Sequence, residues 1–543
     1  MNKPLGNLLF PNIKKDIKFY EELYPERNLE KGAIVTRFAP SPTGFVHMGS
    51  LRTALIAKKL AHDTKGVFFL RIEDTDLKRS VENGIEGIIN DLNNFGITID
   101  EGRVSQSEDK GKYGPYKQTE RTEIYHTYAK HLIDNDLAYP CFCKEAELDE
   151  IRRNQEQKQT RIGYYGSYAR CRYLSNEDIE EKLKNNEEFT IRLKSPGDFN
   201  NKIIVNDLAK GKVEFPENDL DVILLKSDGI PTYHFAHAID DHLMRTTHVL
   251  RGDEWLSSYP VHEQLFKLFN FKLPYFCHLA PINKKENDSI RKLSKRKDPE
   301  AALSYYHEKG IPEEAVKLYL MTTANSNFEE WLLHNPDKTI DDYTFDFKKM
   351  SASGSLFDLD KLINISKNYI SKQSKDEVYE NTCLWAKVYD KEFYNILKKY
   401  PDYTKSILNI ERETKKPRKD YGGYSDVFEN IFYMYDEYFD NLDIVIETEN
   451  YKEIINLYID KYFDINDDKQ TWFEKVKQLS NELGYASNMK DYKENPDNYK
   501  GSVADVSNII RLALTSKTMT PDLYTLINIL GKERTIQRLK KVI

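Results

Sequence analysis

Thr36-Arg37-Phe38-Ala39-Pro40-Ser41-Pro42-Thr43-Gly44-Phe45-Val46-His47-Met48-Gly49-Ser50-Leu51-Arg52 is the stretch that decides how this chain is read. Ile34, Val35 and Phe38 predict a short buried strand. Pro40 and Pro42 end it, because proline supplies no ladder donor and fixes φ. Gly44 permits a tight bend. His47-Met48-Gly49-Ser50 then opens a helix whose apolar residues Leu51, Leu55, Ile56 and Leu60 recur near helical spacing. Strand, small-residue turn and helix start together make an anion site, since the first helical amides lack partners and the dipole favours a phosphate. Gly49 leaves room for a nucleobase or ribose, and His47 can donate a hydrogen bond to developing phosphate charge. No Gly-Lys-Ser/Thr follows, which excludes a P-loop. Taken alone, the stretch also reads as a proline-rich loop before an ordinary helix, with His47 only a cap.

Working outward, Val67-Phe68-Phe69-Leu70-Arg71-Ile72 predicts a second buried strand, followed by Glu73-Asp74-Thr75-Asp76. A helix with Ile85, Ile88, Ile89, Leu92 and Phe95 on one face comes next, with Gly96 as its stop. Alternating buried strands and helices point to a parallel α/β sheet, whose ligands sit at the strands' carboxyl ends. Ser41–Ser50 and Glu73–Asp76 both occupy that position. From about Tyr125 to Lys210 the pattern changes to helices, a Cys-x-Cys pair and mixed charge. Strands are expected again at Asp221–Leu225 and at His248-Val249-Leu250-Arg251-Gly252-Asp253-Glu254-Trp255. This organisation reads as one nucleotide domain split by an insertion. Residues 1–30 read as a polar surface extension. Beyond Pro299 the chain turns helical, with Leu356, Leu359 and Leu362 on helical spacing and a closing amphipathic helix, Lys532 to Ile543, whose Arg534, Arg538, Lys540 and Lys541 form a basic face.

The 543 residues carry a net charge of −8, which excludes a uniformly basic nucleic-acid coat but not a local basic face. Five cysteines in so long a chain cannot make a disulfide framework, so a reducing cytoplasm is the expected setting. The N-terminus lacks a signal-peptide pattern, and no apolar run approaches the roughly 18 residues that span a bilayer.

Lys292-Leu293-Ser294-Lys295-Arg296 follows in a polar loop after Pro281-Ile282-Asn283. Its lysines suit a polyphosphate leaving group, although a basic loop by itself is usually just solvated. Paired with His47-Met48-Gly49-Ser50, it resembles the KMSKS and HIGH signatures of class I aminoacyl-tRNA synthetases. Arg37–Gly44, Arg71–Asp76, Pro231-Thr232-Tyr233 and His248–Glu254 narrow the likeness to the glutamyl-tRNA synthetase family, most closely over Lys31–Asp298. The resemblance implies an α/β class: a Rossmann-like parallel-sheet catalytic domain split by an α+β insertion, then all-α C-terminal domains. The boundaries it suggests are an extension at 1–30, catalytic halves at 31–124 and 211–300, an acceptor-binding insertion at 125–210, a helical stem-contact region at 301–375 and an anticodon-binding region at 376–543.

The resemblance also implies a division of labour. Arg37 and Arg251 would face the substrate's side-chain carboxylate, Glu73 would hold its α-ammonium, and Ala39, Ser41, Tyr233 and His237 would complete the pocket. His47, Gly49, Ser50, Glu254, Trp255 and Leu293 would hold ATP, with Lys292 and Lys295 on its phosphates. Asp76 would approach the tRNA acceptor end. The implied substrates are ATP with Mg2+, L-glutamate and tRNA-Glu, with tRNA-Gln left open. A monomer is expected, and no membrane partner. A glutaminyl enzyme fits the Ala-Pro-Ser-Pro-Thr-Gly form less well. A shorter paralogue that glutamylates a modified tRNA base would lack the long helical C-terminal region. A non-catalytic tRNA-binding relative would not need His47, Gly49, Lys292 and Lys295 together.

Three further constellations stand apart. Cys141, Cys143 and Cys171 with Tyr173 sit where some relatives hold structural zinc, but tyrosine replaces the usual histidine. A zinc knuckle and a metal-free remnant both remain open. His234, His237, Asp240, Asp241, His242 and His248 invite a metal reading, but they straddle an expected strand end where alternate residues point apart. Lys415-Lys416-Pro417-Arg418-Lys419 with Tyr421-Gly422-Gly423-Tyr424 offers cations for phosphates and tyrosines for stacking on unpaired bases. A flexible solvated loop is the competing reading there. Cys277 and Cys383 read as ordinary buried or half-buried thiols.

Overall fold

The N-terminal segment does more than cover the surface. In the computed structural model, which describes residues 4–79, 81–294 and 296–543, it forms helices α1 (Leu5–Leu9) and α2 (Ile17–Leu23). Asp16 caps α2 by accepting from the Phe19 N–H. Tyr20 and Tyr24 are buried in the hydrophobic core, and the Tyr24 hydroxyl donates to the Gly114 carbonyl at 2.7 Å. The large aromatic area explains why a stretch polar on average still docks.

The chain forms two units, Met1–Leu303 with Lys317–Phe357, and Ser304–Val316 with Asp358–Ile543. In the first, β1 (Val35–Phe38) is wholly buried and leads through the proline turn into α3 (Met48–Asp63). β2 (Val67–Leu70) lies parallel to β1, with Val35 opposite Val67. α4 (Gly84–Asn94) buries Ile85, Ile88 and Leu92, and Gly96 follows it at φ +63°, as a C-terminal glycine should. β3 (Glu101–Arg103) extends the parallel ladder from β2, and β4 (Asp109–Lys110) closes that edge antiparallel.

After α5 (Thr122–Asp134) the chain leaves this sheet. β5 (Ala138–Cys141), α6 (Glu145–Gln157), α7 (Asn176–Lys184) and β6 (Thr190–Leu193) are followed by a hairpin of β7 (Lys202–Asp207) and β8 (Gly211–Pro216). The strand expected at Asp221–Leu225 is present as β9 (Ile223–Leu225). It pairs antiparallel with β6, so it extends the inserted sheet rather than the parallel one. The segment Tyr233–Leu243 is helix α8, not a strand end. His237 and Asp241 therefore share one face instead of pointing apart.

β10 (His248–Gly252) returns beside β1, where the Thr247 N–H donates to the Val35 carbonyl at 3.0 Å. α9 (Tyr259–Leu268) leads to β11 (Tyr275–Leu279), parallel to β10. A hairpin of β12 (Ile282–Glu286) and β13 (Ser289–Lys292) then carries Lys292 at a strand end rather than in an open loop. Leu356, expected on a helix face, instead belongs to the short β14 (Ser355–Leu356), parallel to β12.

The second unit is helical around a core that includes Trp472, Leu479, Ile510 and Leu526. Its last helix, Leu523–Lys541, is kinked at Gly531, whose φ of +79° is left-handed. The basic face of that helix is only partly solvated. Arg538 is buried and donates to the carbonyls of Tyr433, Met434 and Leu514. Tyr421 and Tyr424, proposed above as base-stacking groups, are buried in the core and cannot present their rings to RNA. Among the described residues no helix is long and apolar enough to cross a membrane.

Candidate active site

The carboxyl ends of β1, β2 and β10 open onto a cleft of about 1020 Å³ beside the start of α3. The turn after β1 brings Arg37, Ala39, Ser41, His47 and Ser50 to it, and the chain after β2 brings Glu73 and Asp76. Tyr233 from α8 and Arg251, Glu254 and Trp255 from β10 and its following turn close the opposite wall. His47 and Ser50 of the first signature therefore converge with residues of the stretches at 37–44, 71–76, 231–233 and 248–254. Proline and glycine end the strands here, and the exposed backbone at a sheet's carboxyl edge is where such folds bind ligands.

His47 is the N-cap of α3, with Nδ1 accepting from the Ser50 N–H at 3.1 Å. In a neutral ring the hydrogen then sits on Nε2, which lies 3.1 Å from Ser50 Oγ. The cap and cleft readings of His47 thus hold together. A Cβ on Gly49 would stand 3.1 Å from that imidazole, so a side chain there would push on His47. The Tyr233 ring lies over Trp255 with centroids 4.0 Å apart. Lys292 extends from β13 to place Nζ 3.4 Å from Glu254 Oε2, on the cleft's rim. The Leu293 N–H is already given to the Ile282 carbonyl. Asp76 is half-buried and accepts from Arg79 Nε at 2.6 Å. Lys295 lies outside the described residues.

Beneath the cleft runs a charge network that sequence reading did not name. Asp241, fully buried on α8, takes Arg37 Nε at 3.1 Å and Arg71 Nη1 at 2.8 Å. Arg71 also donates to Glu73 Oε1 at 2.9 Å. Burial acts against the Asp241 carboxylate, but Arg37, Arg71 and His237 hold it well below the ordinary range. Burial outweighs Arg71 and Arg37 at Glu73 and raises its carboxyl. The neighbouring Asp240 accepts from Arg121, Gln118 and Tyr125 and anchors α8 to α5. Arg37, expected to meet a substrate carboxylate, thus already has a carboxylate partner. The helical spacing of His237 and Asp241 was the available signal; the expectation of a strand hid it.

Arg251 differs. Its Nε lies 3.0 Å from His278 Nε2, Nη2 lies 3.0 Å from His262 Nδ1, and Nη1 lies 3.3 Å from Tyr233 Oη and 3.4 Å from His237 Nε2. None of these partners is a carboxylate. Burial lowers the pKa of His262 far below its ordinary value and takes His237 to about 3, so both are neutral near pH 7. His237 is fully buried and does not line the cleft: it stands behind Tyr233, with ring centroids 5.5 Å apart.

In the insertion, Cys141, Cys143 and Cys171 bring their sulfurs within 4.8 Å of one another. Tyr173 does not join them and is 71% exposed. The nearby tyrosine is Tyr164, whose Oη lies 3.2 Å from Cys143 Sγ and 3.5 Å from Cys141 Sγ. Hydrogen bonds from Cys143 and Cys171 pull the Cys141 thiol well down, favouring a thiolate. Three cysteine sulfurs this close together form a group that could hold a metal ion, each binding as its thiolate. Cys277 is buried and Cys383 half-buried, as expected of ordinary thiols.

Comparisons with known proteins bear on both units. The family model "tRNA synthetases class I (E and Q), catalytic domain" matches residues 33–377, and "Anticodon binding domain" matches 393–543. The chain is 48% identical to the glutamate–tRNA ligase of Clostridium perfringens strain SM101, covering 99% of this chain and 98% of the relative. It is 48% identical to that of Acetivibrio thermocellus, covering 100% of both. A crystal structure of a glutamate tRNA ligase from Elizabethkingia meningosepticum, in complex with its amino acid, superposes with a TM-score of 0.74 at 27% identity, covering 94% of this chain and 99% of that one.

Proposed function

This chain belongs to the class I tRNA synthetases of the glutamate and glutamine group, and from that membership we infer that it is a glutamate–tRNA ligase. A carboxylate oxygen of L-glutamate attacks the α-phosphorus of ATP, the bond to the β-phosphate breaks, and pyrophosphate leaves. A terminal ribose hydroxyl of tRNA-Glu then attacks the acyl carbon of glutamyl-adenylate, its proton is lost, and AMP departs. Neither step needs a protein nucleophile. The protein's work is positioning and charge stabilisation.

The observation that carries the residue assignment is the pairing of opposite charges in one cleft: Arg251, with no carboxylate bonded to it among the described residues, and Glu73. An amino acid with an anionic side chain presents the complementary pair. We assign Arg251 to the side-chain carboxylate and Glu73 to the α-ammonium, with Ala39, Ser41 and Tyr233 around the chain between them. Arg37 contributes through the network of Asp241 and Arg71 rather than as an uncommitted anion receptor. His47, Gly49 and Ser50 suit the ATP phosphates at the α3 start, and Trp255 and the Leu293 carbonyl suit the nucleobase. Glu254 fits the rim, where it tethers Lys292. Lys292 and Lys295 suit the leaving pyrophosphate, with Mg2+ arriving on ATP itself. Asp76, on the cleft's edge, suits the acceptor end. The insertion, which runs on through β8 and β9 to Leu225 rather than ending at residue 210, takes the acceptor role, and residues 301–375 and 376–543 take the stem and anticodon roles. Cys141, Cys143 and Cys171, with Tyr164 in place of Tyr173, are the residues that would hold zinc, which would cross-link the insertion.

Charging with labelled glutamate, on purified tRNA-Glu and tRNA-Gln in parallel and with and without ATP, tests the function. ATP-dependent charging of tRNA-Glu is expected. Charging of both tRNAs would mark a broad enzyme that feeds an amidation route. Charging of neither, together with no ATP–pyrophosphate exchange in the presence of tRNA, would return the chain to a non-catalytic tRNA-binding role.

A further inference from the structure

The two histidine acceptors closest to Arg251, His262 and His278, are each tied into a second hydrogen bond behind them. A guanidinium only donates, so each imidazole nitrogen facing it must present a lone pair. At His278 this is Nε2, and the hydrogen must then sit on Nδ1, which lies 2.6 Å from Asp207 Oδ2. Asp207 is itself fixed, accepting from the backbone N–H groups of Ala209, Lys210 and His278 where β7 ends. At His262 the acceptor is Nδ1, so Nε2 carries the hydrogen and points to His234 Nδ1 at 2.8 Å. His237 stands further off, with Nε2 at 3.4 Å from Arg251 and Nδ1 in close contact with Asp241 Oδ2 at 2.5 Å. His237, His262 and His278 are fully buried, whereas Arg251 keeps 6% of its surface exposed and lines the cleft.

We propose that His262 and His278 are positioning residues that aim Arg251 at the substrate's side-chain carboxylate by acting as obligate acceptors, with His234 and Asp207 locking their tautomers. The physical advantage is specific. A carboxylate bonded directly to Arg251 would fix it equally well but would cancel its charge, as Asp241 does for Arg37. Neutral imidazoles hold the guanidinium in place and leave its charge for the ligand. Asp207 supplies the anchoring carboxylate one ring further away, from a hairpin of the inserted region. Five N–H groups meet these four acceptors, so the ligand is offered a cation that is oriented but not neutralised.

This inference rests on assigning Arg251 to the glutamate side chain, and the experiment separates the two. Gln sets an amide oxygen near the position of a histidine Nε2, and Asn sets one near Nδ1. His278→Gln and His262→Asn therefore keep an acceptor toward Arg251, while His278→Asn and His262→Gln do not. In steady-state charging at saturating tRNA, H278N and H262Q should raise the KM for glutamate by about tenfold, the scale of a lost hydrogen bond to a charged group. The KM for ATP should stay unchanged, and H278Q and H262N should stay within about threefold of the parent by the same reasoning. Thermal unfolding midpoints identify any variant that fails to fold, and either histidine alone suffices to decide. Equal effects of the Gln and Asn variants at a site, or parallel rises in the KM for ATP, would overturn the positioning role. Arg251→Ala with an unchanged KM for glutamate would instead overturn the assignment of Arg251 itself.

Discussion

Arg37 Nε lies 3.1 Å from Oδ1 of Asp241, which stands 204 residues further along the chain. This contact joins the first strand of the parallel sheet to the helix that follows the insertion. It also gives a buried carboxylate partner to a cation that lines the cleft. Asp241 bonds Arg71 in the same way, so one carboxylate bridges two buried guanidiniums, and Arg71 has Glu73 as a second partner.

Asp241→Asn should therefore be severely destabilising, by about 3–5 kcal/mol, because it leaves buried positive charge without its partner. Denaturant unfolding of D241N against the parent measures this directly. A loss of under about 1 kcal/mol would mean that the network contributes little.

Acid should destabilise the catalytic unit earlier than carboxylate titration alone would allow. Burial holds His237 at about 3 and His234 at about 4 in the folded protein. Unfolded, both would protonate near 6.5. The unfolded state thus binds more protons as pH falls below about 6.5, and stability declines from there down to the folded values. Below about 4 the loss of the Asp241 carboxylate adds to this, since its folded pKa is depressed. Urea midpoints between pH 7 and pH 5 should fall, and less steeply in His234→Gln. A flat profile over that range would contradict the neutral-histidine arrangement.

Glu73→Gln should raise the KM for glutamate while leaving the KM for ATP near its parent value. Because burial raises the Glu73 carboxyl, glutamate binding should weaken as pH falls toward that group's titration, before ordinary carboxylates protonate. Competition by an amino alcohol that keeps the ammonium group reports on the same contact. Undiminished inhibition in E73Q would remove Glu73 from the ammonium site.

Lys292→Ala should slow single-turnover adenylate formation by about tenfold or more, the scale of a lost charge stabiliser, without lowering the unfolding midpoint. Its Nζ sits at Glu254 on an exposed rim, so nothing in the core depends on it. Lys295→Ala is expected to act the same way. Parent-like single-turnover rates in both variants would exclude the loop from leaving-group stabilisation.

Metal analysis of the purified protein should find about one zinc per chain, in keeping with a single four-ligand set. Cys143→Ser should abolish retention, Tyr164→Phe should speed loss to a chelator, and Tyr173→Phe should do neither. A metal-free parent protein would establish the cysteines as a remnant.

How much was legible beforehand depends on how local each signal is. The proline-ended β1, the capped α3, the lysines of the second signature and the Glu73–Asp76 turn could be read from contiguous residues. Their chemistry is set by neighbours within one or two turns of chain, and family likeness reinforced it. Tyr173 and the tyrosines at 421 and 424 were misjudged because exposure is decided by what packs on a residue, and no local pattern reports it. The helix at Tyr233–Leu243 does carry a helical apolar period, Phe235, Ile239 and Leu243, which the intervening His and Asp residues mask.

By itself the sequence determined the alternation of strands and helices and the location of the nucleotide signatures, because these depend on residue types at short spacings, and family likeness supplied the reaction. Only the tertiary structure decided which of the two arginines has a carboxylate partner. Asp241 comes to Arg37, and Asp207 comes to Arg251 only through His278, by way of strands and helices far apart in the chain. In a buried site, whether a cation is neutralised depends on which carboxylate lies within a few ångströms of it. That distance is a property of packing and is written nowhere in the linear order of residues.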